Sequence, residues 1–278
     1  MMRGRDRYAI AVRRPDGEIE VTDGPLPSWG AGVENVPVVR GVVALAQALP
    51  LGFRALTWSA EHGLGQVRKQ PRWWERLATV LIVAAVIVVA SAAPAIAAVW
   101  IARSVGLGFL GPFIEMGLGV LMLYGYLRVV GRLGDVVRLF ANHGAEHKVV
   151  NAYEAGAPLT VASVQRASTR HARCGTSFLL VVAVVSAAFF AVVGSADPVL
   201  RVLALPLIAG IAAEIQLRMA ESGSRALAAP GLALQRLTTR EPSDDQVEVA
   251  IAALQAVLPV RADADADADT EVSVLSAA

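Results

Sequence analysis

Three of the four histidines and the single cysteine of this chain lie in one segment, from His143 to Cys174. Its first part reads HGAEH, which places His143 and His147 at i and i+4, so a helix carries both imidazoles on one face, about one turn apart. Neutral imidazole is a good ligand for zinc and other borderline metals. Glu146 follows His143 by three residues and is placed to act as a general base on a water held by such a metal.

The same segment ends in the motif HARC, in which His171 and Cys174 form a second pair of donors three residues apart. Four His and Cys ligands usually close a structural zinc site. If only three bind zinc or another divalent transition metal, one position stays open for catalysis, and the sequence leaves both arrangements open. Glu154, seven residues after His147 on the same helix face, is a further candidate ligand.

The order H-x-x-E-H resembles the inverzincin pattern of one metalloprotease class. A five-residue match also arises by chance, and Gly144 weakens a helix. In the alternative interpretation the histidines cap helix ends and Cys174 is a small packing residue. The presence of two donor pairs in one segment favours the metal site.

Long apolar stretches predict the elements that must position these residues. From Leu77 to Ala102 the only polar side chains are Thr79 and Ser91. Such a run exceeds the roughly 20 residues that cross a bilayer, where the backbone must be helical. Similar stretches follow, and the sequence predicts an all-α integral membrane protein with four transmembrane helices. These form one pair within residues 77–130 and a second pair within residues 176–219.

The distribution of basic residues predicts the orientation. Lys and Arg are concentrated before the first span, in the 131–175 loop and after the fourth span, whereas the two remaining connections hold only Arg103 and Arg201. Basic residues mark the cytoplasmic side of a membrane. We therefore expect a multi-pass plasma-membrane protein with the 131–175 loop and both termini in the cytoplasm.

Two acids fall inside these spans. Carboxylates within a membrane are costly and are functional candidates by default. Glu214 lies near the cytoplasmic end of the fourth span, within reach of the histidines, and is a candidate metal ligand. Glu115 lies nearer the outer end of the second span, and for it we expect a hydrogen bond to a neighbouring helix.

The soluble parts contain smaller elements. In residues 1–40, alternating apolar residues flank a Pro-Asp-Gly turn, which predicts a cytoplasmic β-hairpin.

In residues 41–62, polar residues recur every seven positions opposite an apolar face, which favours an amphipathic helix in the membrane interface over a fifth span. In residues 220–260, Ser243 and Gln246 resemble a capping box that starts a cytoplasmic helix. The TTREP segment from Thr238 is either a polar turn that docks on the surface with the histidines or the lead-in to this helix, and the second is slightly favoured. The Ala-Asp repeat within residues 261–278 predicts a disordered acidic tail.

At these motifs the sequence resembles the YqhQ-type family of bacterial membrane proteins, often labelled predicted metal-dependent enzymes. The resemblance is carried by MMRG at the start, HGAEHKVVNAYEAG, HARCGTSF, Glu214 and QRLTTREPSDDQVEVAI. It implies the metal label, with the five residues of the two motifs at matching positions: His143, Glu146, His147, His171 and Cys174. It supplies no reaction. Members usually carry a short glycine-rich leader before MMRG, which this sequence does not show.

These patterns favour a metal-dependent hydrolase at the membrane surface. His143 and His147 would be ligands, His171 or Cys174 the third ligand, and Glu146 the base. The first alternative is a non-catalytic membrane scaffold or assembly factor with a structural zinc. The second is a transporter. A transporter should expose polar residues along several spans, and the first span has almost none. We expect the lipid bilayer, a membrane protein or a second copy of the chain as partners, and no nucleic acid.

Overall fold

The computed structural model of the chain describes residues 1–63, 110–193 and 198–258 apart from residues 5, 31 and 34, with isolated residues between 74 and 106. Almost all of the predicted first span and the whole acidic tail lie outside the described residues. The described chain is mostly helical and has a small antiparallel sheet at its N-terminal end.

The sheet has three strands in the order β1 (Met2–Arg3), β2 (Arg7–Arg13) and β3 (Ile19–Pro25). The predicted hairpin is confirmed as β2 and β3, and β1 adds a short third strand to it. The turn between β2 and β3 places Gly17 at φ +91°, a left-handed conformation that glycine adopts without strain.

Eight helices occur in the described parts of the chain. They are α1 (Val39–Gly63), α2 (Gly111–Val130), α3 (Gly134–Glu154), α4 (Val161–Val164), α5 (Gly175–Val193), α6 (Pro198–Glu221), α7 (Arg225–Thr238) and α8 (Asp244–Val257). Four of them, α1, α2, α5 and α6, are long and apolar enough to cross a membrane. Three of these four coincide with predicted spans, whereas α1 is the helix predicted to lie in the interface.

Helix α1 packs on two different elements. Near its start, Gly41 lies against Gly210 and Ala213 of α6, where a Cβ atom would not fit. Further along, Leu51 and Ala55 pack against one face of β2. Large apolar side chains on its other side are exposed: Leu49, Phe53 and Leu56. The length and composition of α1 also suit a membrane span, so its position in the interface stays a prediction.

The opposite face of the sheet packs on α3 and α8. Met2 and Ala9 join buried residues of both helices in one core, and both faces of β2 are therefore covered. The face of α3 turned away from that core carries the two histidines of the HGAEH motif. Most of the predicted 131–175 loop is helical, and its main helix, α3, packs against α8.

Candidate metal centre

Helix α3 brings two imidazoles together. His143 and His147 are one turn apart, and their ring centroids lie 4.3 Å from each other. His147 is fully buried. The predicted i, i+4 geometry is therefore present, and both rings face the segment that leads into α5.

Backbone carbonyls fix the orientation of both rings. Nδ1 of His143 donates to the carbonyl of Thr238 at 3.0 Å, and Nδ1 of His147 donates to the carbonyl of Thr169 at 2.7 Å. Since a carbonyl only accepts, each ring must carry a proton on Nδ1, and the Nε2 of each neutral ring keeps its lone pair for another partner. This is the usual outer contact of a metal-binding histidine.

Cys174 completes the group. Its Sγ lies 3.3 Å from Nε2 of His143, and the side chain is 1% exposed. Burial raises the pKa of this thiol, but the imidazoles of His143 and His147 outweigh it and lower the pKa to about 5. Burial lowers the pKa of His143, while the Cys174 thiolate and Glu146 together raise it above its ordinary value. The sulfur is therefore a thiolate near neutral pH, the form that binds metals.

The donor atoms of His143, His147 and Cys174 all lie within 4.8 Å of one another. Ligands about 2.0–2.3 Å from a tetrahedral zinc lie roughly 3.3–3.8 Å apart, so a small contraction would fit the ion. Nε2 of His147 is buried and has no hydrogen-bond partner among the described residues. Two imidazoles and one thiolate suit zinc or a similar divalent transition metal, and the residues fit that group.

The structure places His171 beside the donor group. Its ring centroid lies 6.0 Å from that of His147, and its Nε2 lies 3.1 Å from Glu154. Its Nδ1 accepts the backbone N–H of Arg173 at 3.3 Å. Both ring nitrogens are thus engaged, and His171 is not one of the three grouped donors.

The carboxylate of the candidate ligand Glu154 already pairs with two other side chains. It binds His171 and forms an ion pair with Arg173. Burial raises the pKa of Glu154, but these two neighbours outweigh it and hold the pKa below its usual value. The carboxylate stabilises the HARC segment and is not one of the three grouped donors.

The two acids in the membrane-length helices pair with arginines. Glu214 accepts from Arg40 at 2.6 and 2.7 Å and from the backbone of Val38 at 3.3 Å, which ties α6 to the start of α1. It does not belong to the donor group. Glu115 accepts from Arg201 of α6 at 2.6 and 3.0 Å, in agreement with the expected bond to a neighbouring helix.

The proposed base, Glu146, lies beside the donors on the same helix. It is close enough to contribute to the raised pKa of His143. Its side chain is 18% exposed, and Oε1 accepts from the Met1 amine at 2.5 Å. It is more open to solvent than the side chains of His147 and Cys174.

The TTREP segment docks on α3, which is one of the two interpretations that the sequence left open. The carbonyl of Thr238 orients His143, and the backbone N–H of Arg240 donates to the carbonyl of Phe140 at 2.9 Å. Gly144 permits this approach, because a Cβ atom there would overlap the carbonyl oxygen of Arg240. The segment docks on α3 and also leads into α8, which begins at Asp244. The glycine at position 144, inside the HGAEH motif, was the sequence signal that another segment approaches this helix closely.

The sequence analysis missed a buried glutamine. Gln235 on α7 is fully buried, accepts the backbone N–H of His171 at 2.9 Å and donates to the carbonyl of His171 at 2.8 Å. It also donates to Ser177 on α5 at 2.9 Å. One amide thus holds the HARC segment between two helices, and nothing in the local sequence indicates it.

Comparison with known proteins identifies the family of the chain. The family model described as "Protein of unknown function (DUF1385)" matches residues 36–260. The Bacillus subtilis (strain 168) protein named "Uncharacterized protein YqhQ" is 32% identical over 289 residues, which cover 94% of this chain and 90% of that protein. The resemblance to the YqhQ-type family is thereby confirmed. No solved structure matches the chain.

Proposed function

We propose that this chain, which belongs to the DUF1385 family, binds a divalent transition metal at His143, His147 and Cys174 and uses it for hydrolysis at a membrane surface. The observation that carries the proposal is Nε2 of His147, which is buried and unpaired within the described residues. A buried nitrogen without a partner costs about 1–3 kcal/mol, and a metal ion shared with the other two donors would remove that cost.

Three protein ligands favour a catalytic centre over a structural one. A zinc or similar ion bound in this way keeps a position for water or substrate and supplies Lewis acidity. The carbonyls of Thr238 and Thr169 hold the imidazoles in place, and these imidazoles keep Cys174 ionised although its burial opposes ionisation. Glu146, the partly exposed carboxylate next to the donors, would be the base that accepts a proton from water.

A structural zinc in a scaffold is the second candidate. It is supported by the burial of His147 and Cys174 and by the three separate segments that the donors and their carbonyl partners connect. In that case the bound ion would lock α3, the HARC segment and the end of α7 together. Loss of a ligand would then cost folding energy directly.

The two candidates predict different results for Glu146→Gln and His147→Ala. If Glu146 is the base, Glu146→Gln keeps the protein level and bound zinc close to the parent chain but abolishes function in a complementation assay, because the amide lacks a basic lone pair. His147→Ala lowers bound zinc in both cases, and His62→Ala, on α1, is the matched control with no expected loss of zinc. Full function of Glu146→Gln would eliminate the hydrolase.

We also propose that the centre faces the cytoplasm. The basic residues before the first predicted span, in the 131–175 segment and after α6 support this orientation. A reporter fused after residue 258 should be active only in its cytoplasmic form. Activity of a periplasmic or extracellular reporter at that position would contradict the orientation.

A further inference from the structure

The sulfur of Cys174 caps the first turn of α5. Cys174 directly precedes the helix, and its carbonyl accepts the backbone N–H groups of Ser177 at 3.1 Å and Phe178 at 3.3 Å. The first N–H groups of a helix have no carbonyl partner within it. The backbone N–H of Thr176 donates to Sγ of Cys174 at 3.4 Å, in a position that a side-chain oxygen usually fills. The start of α5 therefore fixes the place of this sulfur.

The sulfur has a second donor in the side chain of Thr176. Oγ1 of Thr176 lies 3.5 Å from Sγ of Cys174. Since a thiolate has no proton to give, the hydroxyl is the donor of this bond. Oγ1 of Thr238 lies 3.3 Å from Oγ1 of Thr176, and it donates to Thr176, whose own proton points to the sulfur. The bonds thus run in one direction, from Thr238 through Thr176 to Cys174, and we call this series the hydroxyl chain.

The hydroxyl chain does more than join two helix ends. The bond between Thr238 and Thr176 alone would tie the end of α7 to the start of α5. The carbonyl of Thr238 also accepts from Nδ1 of His143 at 3.0 Å, so one residue contacts a metal donor with its backbone and reaches another with its side chain. Thr239 offers a contrast, because its Oγ1 donates to the carbonyl of Gln235, one turn earlier, at 2.9 Å. Of these two neighbouring threonines, Thr238 is the one aimed at the metal centre.

The hydroxyl chain acts on a buried charge. Cys174 is 1% exposed and Thr238 is 7% exposed. A hydrogen bond to a charged acceptor away from water is stronger than one between neutral groups. Such bonds withdraw negative charge from the sulfur, which is one way in which proteins tune metal–thiolate centres. A metal that receives less charge from its ligands stays a stronger Lewis acid, and hydrolysis requires that property.

We propose that Thr176 and Thr238 are positioning residues that orient the Cys174 thiolate and withdraw charge from it. Thr176 does so directly, with one backbone and one side-chain donor on the sulfur. Thr238 acts through Thr176, because it fixes the direction of the Thr176 hydroxyl. The role rests on the proposed function, since it requires a metal bound at His143, His147 and Cys174.

The test uses the full chain in detergent, loaded with cobalt(II), and measures the sulfur-to-cobalt charge-transfer band. Thr176→Val keeps the shape of the side chain but removes the hydroxyl, which raises the energy of the sulfur electrons. The band should therefore move to longer wavelength. Thr176→Ser keeps a hydroxyl and should restore the band of the parent chain. Thr238→Val removes only the distant donor, and its band should move in the same direction by a smaller amount.

Thr239→Val is the matched control for a general loosening of this region. It removes a buried hydroxyl bond next to Thr238, so it should lower the melting temperature and leave the cobalt band unchanged. A band that moves equally in Thr239→Val would reduce the hydroxyl chain to a structural contact and overturn the proposal. So would an unchanged band in Thr176→Val. If Thr176→Val fails to fold, the comparison of Thr238→Val with Thr239→Val decides in the same way.

The same spectra separate this role from the proposed function. A parent chain without any sulfur-to-cobalt band would overturn the metal centre and the hydroxyl chain together. A parent band that is present but the same in Thr176→Val and Thr238→Val overturns the hydroxyl chain alone. If the band moves as expected while Glu146→Gln is fully functional, the hydroxyl chain stands and the hydrolase fails.

Discussion

Replacing Gly144 by alanine tests whether the docked TTREP segment holds the metal centre. Inside an exposed helix the change would be stabilising, by about 0.5–1 kcal/mol, because glycine loses more backbone entropy than alanine. Here the new methyl would overlap the carbonyl oxygen of Arg240. The backbone must therefore separate by about 1 Å to restore normal contact.

The expected cost follows from the contacts at that point. Overpacking of a tight contact costs about 1–3 kcal/mol, and loss of the bond from Arg240 to Phe140 adds about 1 kcal/mol. When the gain in helix propensity is subtracted from these costs, we expect Gly144→Ala to destabilise the chain by about 1–3 kcal/mol. Because Thr238 orients His143, the same displacement should weaken zinc binding about 10–100-fold.

Gly134→Ala at the start of the same helix is the matched control, since a Cβ there meets nothing within 4 Å. Thermal unfolding in detergent would report stability, and competition with a chelator would report zinc affinity. We expect the control to be neutral or slightly stabilised, with unchanged zinc affinity. If Gly144→Ala behaves like the control in both assays, the proposed role of the docked segment is incorrect.

Two further predictions concern the same centre. Zinc affinity should fall as pH is lowered through the raised pKa of His143, roughly tenfold per unit for each competing proton, because His143 retains a proton at higher pH than an ordinary histidine. Protonation of Cys174 adds to the loss below about 5, and a constant affinity in chelator competition would contradict this. Gln235→Ala should destabilise the chain by about 2–5 kcal/mol because it leaves the buried N–H and C=O of His171 unpaired, and an unchanged melting temperature would refute that role.

Local features of the sequence were sufficient for several elements. The alternation in β2 and β3 and the Gly17 turn determine the hairpin, because strand pleat and turn geometry depend on neighbouring residues. The capping box at Ser243 determines the start of α8, and the i, i+4 spacing determines that His143 and His147 share a face. Composition alone identified α2, α5 and α6 as membrane-length helices.

Only the tertiary structure decided which of the candidate donors meet. Cys174 reaches His143 across 31 residues, and Thr238 orients the same ring across 95. His171 has a suitable side chain and spacing, but its ring nitrogens are taken by Glu154 and Arg173. Spacing along a helix constrains residues within a turn or two, whereas these contacts depend on how α3, α5 and α7 pack together. The sequence therefore determined the pair of imidazoles, and the packing of distant helices selected the thiolate as their third partner.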